Sequence, residues 1–111
     1  MRLYLSGKIT GLEESDSRKN FTDAGIEFAR HHQMSFYRIS KSNYLHLINP
    51  FSISDKLPVK WYWIIMACDI LALLTCDSIL MLNNWKTSRG AKIELAIAIL
   101  TGKRVFFQNE E

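Results

Sequence analysis

WIIMACDILALLTCDSILMLNNWKTSRGAKIELAIAIL, residues 63–100, decides the fold. Its first part belongs to a run over 60–74 that is apolar on most faces, which predicts a buried helix. Thr75-Cys76-Asp77 interrupts it. Residues 78–82 follow with four apolar residues in a row, as in a strand covered on both faces. Thr87 and Ser88 can cap a second helix over 89–100, and Gly102 stops it. Residues 104–107, RVFF, read as another strand. Helix, strand, helix, strand with short connections argues for parallel strands joined by crossover helices.

Working outward to the N-terminus, residues 2–5 read as a strand that leaves through a loop bounded by Gly7 and Gly11. Phe21, Ala24, Gly25, Phe28 and Ala29 recur at helical spacing over 17–33, with Ser15, Asp16 and Ser17 as candidate N-caps. His31 and His32 suit the negative end of that helix. Residues 34–42 are polar and aromatic and read as a surface loop. Residues 44–48 read as a strand closed by Asn49-Pro50. The expected fold is α/β, one domain over residues 1–111. It is a doubly wound parallel sheet of about four strands, order 2-1-3-4, with helices on both faces, as in flavodoxin- or Rossmann-like sheets. Ligands of such sheets sit beyond the carboxyl ends of the strands at the switch point. That brings Gly7, Asn84, Ser88 and Gly90 to one crevice.

Composition narrows the function. With 111 residues, 48% hydrophobic and 23% charged, the chain has globular proportions. The formal charge is +3 and the basic excess is spread thinly, which argues against a nucleic-acid stripe and leaves room for a small anion. The apolar run into residue 82 is interrupted by Asp69 and Asp77, each costing about 2.5–3.5 kcal/mol at mid-bilayer, so no membrane span is expected. Cys68 and Cys76 have no partner at metal-ligand spacing, and free thiols suit a reducing compartment. With a strand beginning at residue 2, a cytoplasmic location is expected. No metal or cofactor is implied, since neither G-x-G-x-x-G nor a Walker A pattern occurs.

Two carboxylates stand out. Glu94 lies in IELAIAIL, where every other residue is apolar. A charge there is costly unless paired or functional. A structural role would pair it with Lys92, Arg89 or Lys103, or leave it on a narrow solvent stripe. Asp69 likewise interrupts IIMACDILALL, while Asp77 reads as a turn or helix-end group. Two carboxyls in unlike environments beside one crevice can divide acid and nucleophile duties. Thr87-Ser88-Arg89-Gly90 at a helix start favours an anion, with ordinary capping as the plainer alternative.

YLSGKITG (4–11), Asn20-Phe21, Asn49-Pro50, CDILALLTCDSILML (68–82), Asn84-Trp85 and SRGAKIELAIA (88–98) together resemble the nucleoside 2-deoxyribosyltransferase-like family. That group includes 2′-deoxynucleoside 5′-monophosphate N-glycosidases. The likeness spans nearly the whole chain except residues 34–43, which look like an insertion. It implies that Glu94 attacks C1′ of a deoxyribose, that Asp69 hydrogen-bonds the substrate and helps the base leave, and that Ser88 binds the 5′ end. Tyr4 and Gly7 would line the sugar and base pocket. The transferases tend to carry an acid where Ser88 stands, so Ser here favours a 5′-phosphate. The sequence departs from the pattern at Asn84, usually Gly, and at Lys8, usually Pro.

Three functions remain open at this stage. The first is cleavage or transfer at the N-glycosidic bond of a deoxynucleoside or its 5′-monophosphate. The second is a catalytically silent nucleotide-binding module of the same fold. The third and least favoured is nucleic-acid binding through Arg30, Arg38 and Lys41 with Phe36, Tyr37 and Tyr44. The apolar helices, with Trp61, Tyr62 and Trp63 crowding one end, further predict a homodimer or higher oligomer.

Overall fold

The computed structural model describes residues 1–9, 12–32, 44–56 and 62–108. The elements run β1 (Arg2–Ser6), α1 (Glu14–His31), β2 (His46–Ile48), α2 (Pro50–Lys56), α3 (Tyr62–Leu74), β3 (Ser78–Met81), a 3-10 turn (Trp85–Thr87), α4 (Arg89–Leu100) and β4 (Arg104–Phe107). The four strands form one parallel sheet, as the alternation predicts, in the expected doubly wound order β2-β1-β3-β4. The proposed insertion and surface loop at 34–43, with Phe36, Tyr37, Arg38 and Lys41, lies outside the described residues, as does Trp61.

Strand alternation sorts the core into two layers. Leu3 and Leu5 of β1 and Leu80 and Leu82 at β3 pack with Phe21, Ala24, Phe28 and Ala29 of α1. Tyr4 of β1 and Ile79 and Met81 of β3 point to the opposite face, against Leu73, Cys76, Ala91 and Ala98. On α4 the buried positions are Ala91, Glu94 and Ala98, a stripe at helical spacing. Small residues on either side of Glu94 let that helix approach the sheet closely, so the carboxylate faces inward.

Three local expectations differ from the structure. Helix α1 begins at Glu14, and its capping residue Glu13 makes no side-chain cap bond; Ser17 is buried inside the helix. The strand expected over 44–48 contracts to His46–Ile48. Asn49-Pro50 ends that strand but also begins α2, a helix absent from the sequence reading. Pro50 takes the first helical position, where a missing N–H costs nothing, and the Asn49 side chain accepts the Phe51 N–H at 3.0 Å. Phe51 then packs edge-on against Phe21, ring centroids 5.4 Å apart. Arg18 lies over the Phe51 ring and pairs with Asp55 at 2.7 Å, joining α1 to α2.

Asp77 has the structural role expected of it: its carboxylate accepts from the Arg2 N–H at 3.2 Å and the Ser78 hydroxyl at 2.9 Å. Both cysteines are free thiols. Among the described residues no helix is long and apolar enough to cross a membrane.

Candidate active site

A cavity of about 710 Å³ opens where β1 and β3 end, at the predicted switch point. Gly7, Lys8 and Ile9 line it from the β1 side, Pro50 and Phe51 from α2, Ile65, Met66 and Asp69 from α3, and residues 87–91 with Glu94 from the start of α4. A second cleft, of about 470 Å³, lies on the opposite face between α1 and β4, beside His31, His32 and Phe106. Among the described residues it has no buried carboxylate.

Glu94 is 8% exposed, and the pairing with Lys92, Arg89 or Lys103 does not form. Lys103 instead donates to the carbonyls of Leu74 and Cys76 at 3.2 and 2.7 Å. The partner of Glu94 is Ser6, whose hydroxyl donates to Oε1 at 2.9 Å. The alternation that turns Tyr4 toward α4 turns Ser6 the same way two residues later. The Tyr4 hydroxyl also lies beside the Glu94 carboxylate, without a hydrogen bond of good geometry. Three buried side-chain oxygens around this point have no partner among the described residues: Tyr4 Oη, Asp69 Oδ1 and Glu94 Oε2. Buried polar atoms are nearly always satisfied, so an orphan trio beside a cavity marks a place where a ligand supplies the missing partners.

Burial raises the Glu94 carboxyl above its ordinary range, and the Tyr4 and Ser6 hydroxyls pull it back down. Asp69 is pushed up to about 7, first by burial and then by the charge of Glu94. Tyr4 is raised far above the usual phenol range by burial and by both carboxylates, so its hydroxyl stays protonated. The site therefore combines a carboxyl restrained by Ser6, a second carboxyl poised near neutrality between its acid and base forms, and a phenol that stays protonated.

The anion end is built from backbone. Ser88 caps α4, its Oγ accepting the Ala91 N–H at 3.2 Å, so the plainer role foreseen for it is real. The N–H groups of Arg89 and Gly90 have no intrahelical acceptor by helix geometry. Among the described residues, Lys8 and Arg89 are the cations lining the cavity. A Cβ on Gly90 would come within 3.2 Å of Met66 Cε, so a side chain there would crowd the wall.

The predicted site residues divide into two groups. Glu94, Asp69, Gly7, Ser88 and Gly90 line the cavity together. Tyr4 sits beneath it against Glu94. Asn84 stands behind the β1 loop, where its Oδ1 accepts the Lys8 N–H at 3.0 Å. A Cβ on Gly7 would lie 2.8 Å from Leu82 Cβ and 3.1 Å from Asn84 Oδ1, so glycine permits this close approach. Asn84 thus positions the loop rather than the cavity wall. Sequence reasoning missed Ser6, although its parity with Tyr4 was a usable signal. It also missed the apolar wall of Phe51, Ile65 and Met66, which depends on α2 folding back.

No curated protein matches the chain. A family model does, over residues 1–107, nearly the whole length and including β1, α3, α4 and the cavity between them. The chain belongs to that family, described as a domain of unknown function, DUF4406.

Proposed function

We propose that the protein cleaves, or transfers at, the N-glycosidic bond of a deoxynucleoside or its 5′-monophosphate, with Glu94 as nucleophile. One observation carries this reading: Glu94 is held by one oxygen while its other oxygen, and one oxygen of Asp69, are buried without partners at the same cavity. Glu94 Oε2 attacks C1′, the C1′–N bond breaks, and its electron pair leaves with the base. Protonated Asp69 donates its proton or a hydrogen bond to the departing base. Water then attacks C1′, giving its proton to the Asp69 carboxylate, and the C1′–Oε2 bond breaks to restore Glu94; a second base in place of water gives transfer. This is the division of labour in retaining glycosidases. The apolar wall of Phe51, Ile65 and Met66 suits a base or sugar face, and the α4 start with Lys8 and Arg89 suits a 5′-phosphate.

The test is incubation with a panel of deoxynucleosides and their monophosphates while free base is monitored. Release by the wild type, abolished in Glu94→Ala with the fold intact, supports the enzyme. Stabilisation by a nucleotide without any release assigns the silent binding module instead. The outer faces of α3 and α4 further support self-association, since Trp63 and Leu71 are 67% and 63% exposed and Leu100 is 85% exposed.

A further inference from the structure

Ser6 ends β1 fully buried, and a hydroxyl in such a place is costly unless it is bonded. Its Oγ donates to Glu94 Oε1 at 2.9 Å, across 88 positions of sequence. Glu94 Oε2 has no partner among the described residues. The carboxylate is therefore asymmetric: Oε1 is tied to the sheet, while Oε2 is buried without a partner among the described residues. Two small neighbours on the same helix stripe, Ala91 and Ala98, keep the backbone close enough for that tie.

We propose that Ser6 is a positioning residue for Glu94, which fixes Oε1 so that Oε2 is the oxygen presented to the substrate, and which favours the ionised carboxylate over the acid. This rests on the reading of Glu94 as nucleophile and adds which oxygen attacks and what holds it. A donated hydrogen bond stabilises the anion more than the acid, so it acts against the desolvation of the site. Tyr4 contributes in the same direction but without a bond of good geometry, which leaves Ser6 as the directional restraint. Aligned attack depends on such restraint, because a reacting oxygen must be held at about 3–3.5 Å from its target.

The test uses Ser6→Ala and Ser6→Cys, the thiol being a weaker donor in nearly the same volume. The Glu94 side-chain carboxyl is titrated by carbon-13 NMR in the ligand-free protein, and kcat and KM for base release are measured against pH. The expected order of Glu94 pKa is Ser below Cys below Ala, with Ala higher by about 1, the size of one lost charge-assisted bond. The acid limb of kcat moves up by the same amount, giving about a tenfold loss below it, while KM stays within about twofold. An unchanged Glu94 titration and an unchanged acid limb in both variants overturn the proposal, even where thermal stability falls. Should Ser6→Ala fail to fold, Ser6→Cys alone decides by the same criteria. If the wild type releases no base, the nucleophile reading fails, while a shifted titration still supports the hold of Ser6 on Glu94 and an unshifted one overturns it.

Discussion

Asp69 and Glu94 enter one cavity from two different helices, and burial together with the Glu94 charge holds the Asp69 carboxyl protonated up to about 7. Like charges that close cannot both form cheaply in a dry site.

A bell-shaped pH–rate profile follows for base release. Activity rises with pH as Glu94 ionises and falls with pH as Asp69 loses its proton, the second limb lying near 7. In Asp69→Asn the alkaline limb disappears, and release slows most for bases that are poor leaving groups. An alkaline limb that survives unchanged in Asp69→Asn assigns the acid elsewhere.

Stability shifts with pH in a direction set by the same group. The folded-state pKa of Asp69 is raised above its ordinary value of 3.8 to about 7. The folded state therefore binds the proton more tightly than the unfolded chain. Its contribution is fully present below the unfolded value and is lost as pH rises toward the folded one. Glu94, also raised, acts with the same sign. Wild-type Tm should fall between pH 4 and 7 more than Tm of Asp69→Asn, and the asparagine variant should gain on the wild type as pH rises. Parallel Tm curves for the two proteins would remove Asp69 from the linkage.

Much of this site was legible from residue patterns. The parallel sheet came from alternation, its order 2-1-3-4 from choosing a doubly wound topology with right-handed crossovers, and Glu94 and Asp69 from being lone carboxyls in apolar helices. Helix α2 was not legible, because Asn-Pro signals a strand end and a helix start with the same two residues. The role of Asn84 was hidden for another reason: what it touches, the Lys8 N–H, is 76 positions away. Ser6 is a small polar residue at a strand end, where a loop hydroxyl is the ordinary expectation. Its partner appears only once α4 lies across the sheet.

The start of α4 should hold an anion. Soaking with a deoxynucleoside monophosphate is expected to place the phosphate at Ser88–Gly90, against the open N–H groups and within reach of Arg89. Ser88 already spends one lone pair on the Ala91 N–H, so backbone and cation supply most of the binding. Arg89→Gln should then raise the dissociation constant for the monophosphate by roughly tenfold, the size of one charge-assisted hydrogen bond, and leave the nucleoside nearly unaffected. A phosphate seated at Gly7–Ile9 with the α4 start empty would overturn the assignment.

Assembly gives the last prediction. On α3 the exposed residues Trp63, Ala67, Leu71 and Leu74 fall four, four and three positions apart, so they form one apolar stripe. On α4, Ile93, Ala96 and Leu100 repeat the pattern, with Ile99 beside them. The two helices pack against each other. Each large side chain there can gain about 1.5–3 kcal/mol on burial. A second copy of the chain supplies a matching surface by two-fold symmetry, because an isologous interface needs only one self-complementary patch. Light scattering at micromolar concentration should give at least twice the monomer mass of 12.9 kDa. Leu71→Glu should return the monomer mass, since a carboxylate buried in such an interface has no partner and dissociation restores its hydration. A wild type that stays at monomer mass across that range would exclude the interface, and an oligomer untouched by Leu71→Glu would move it off these helices.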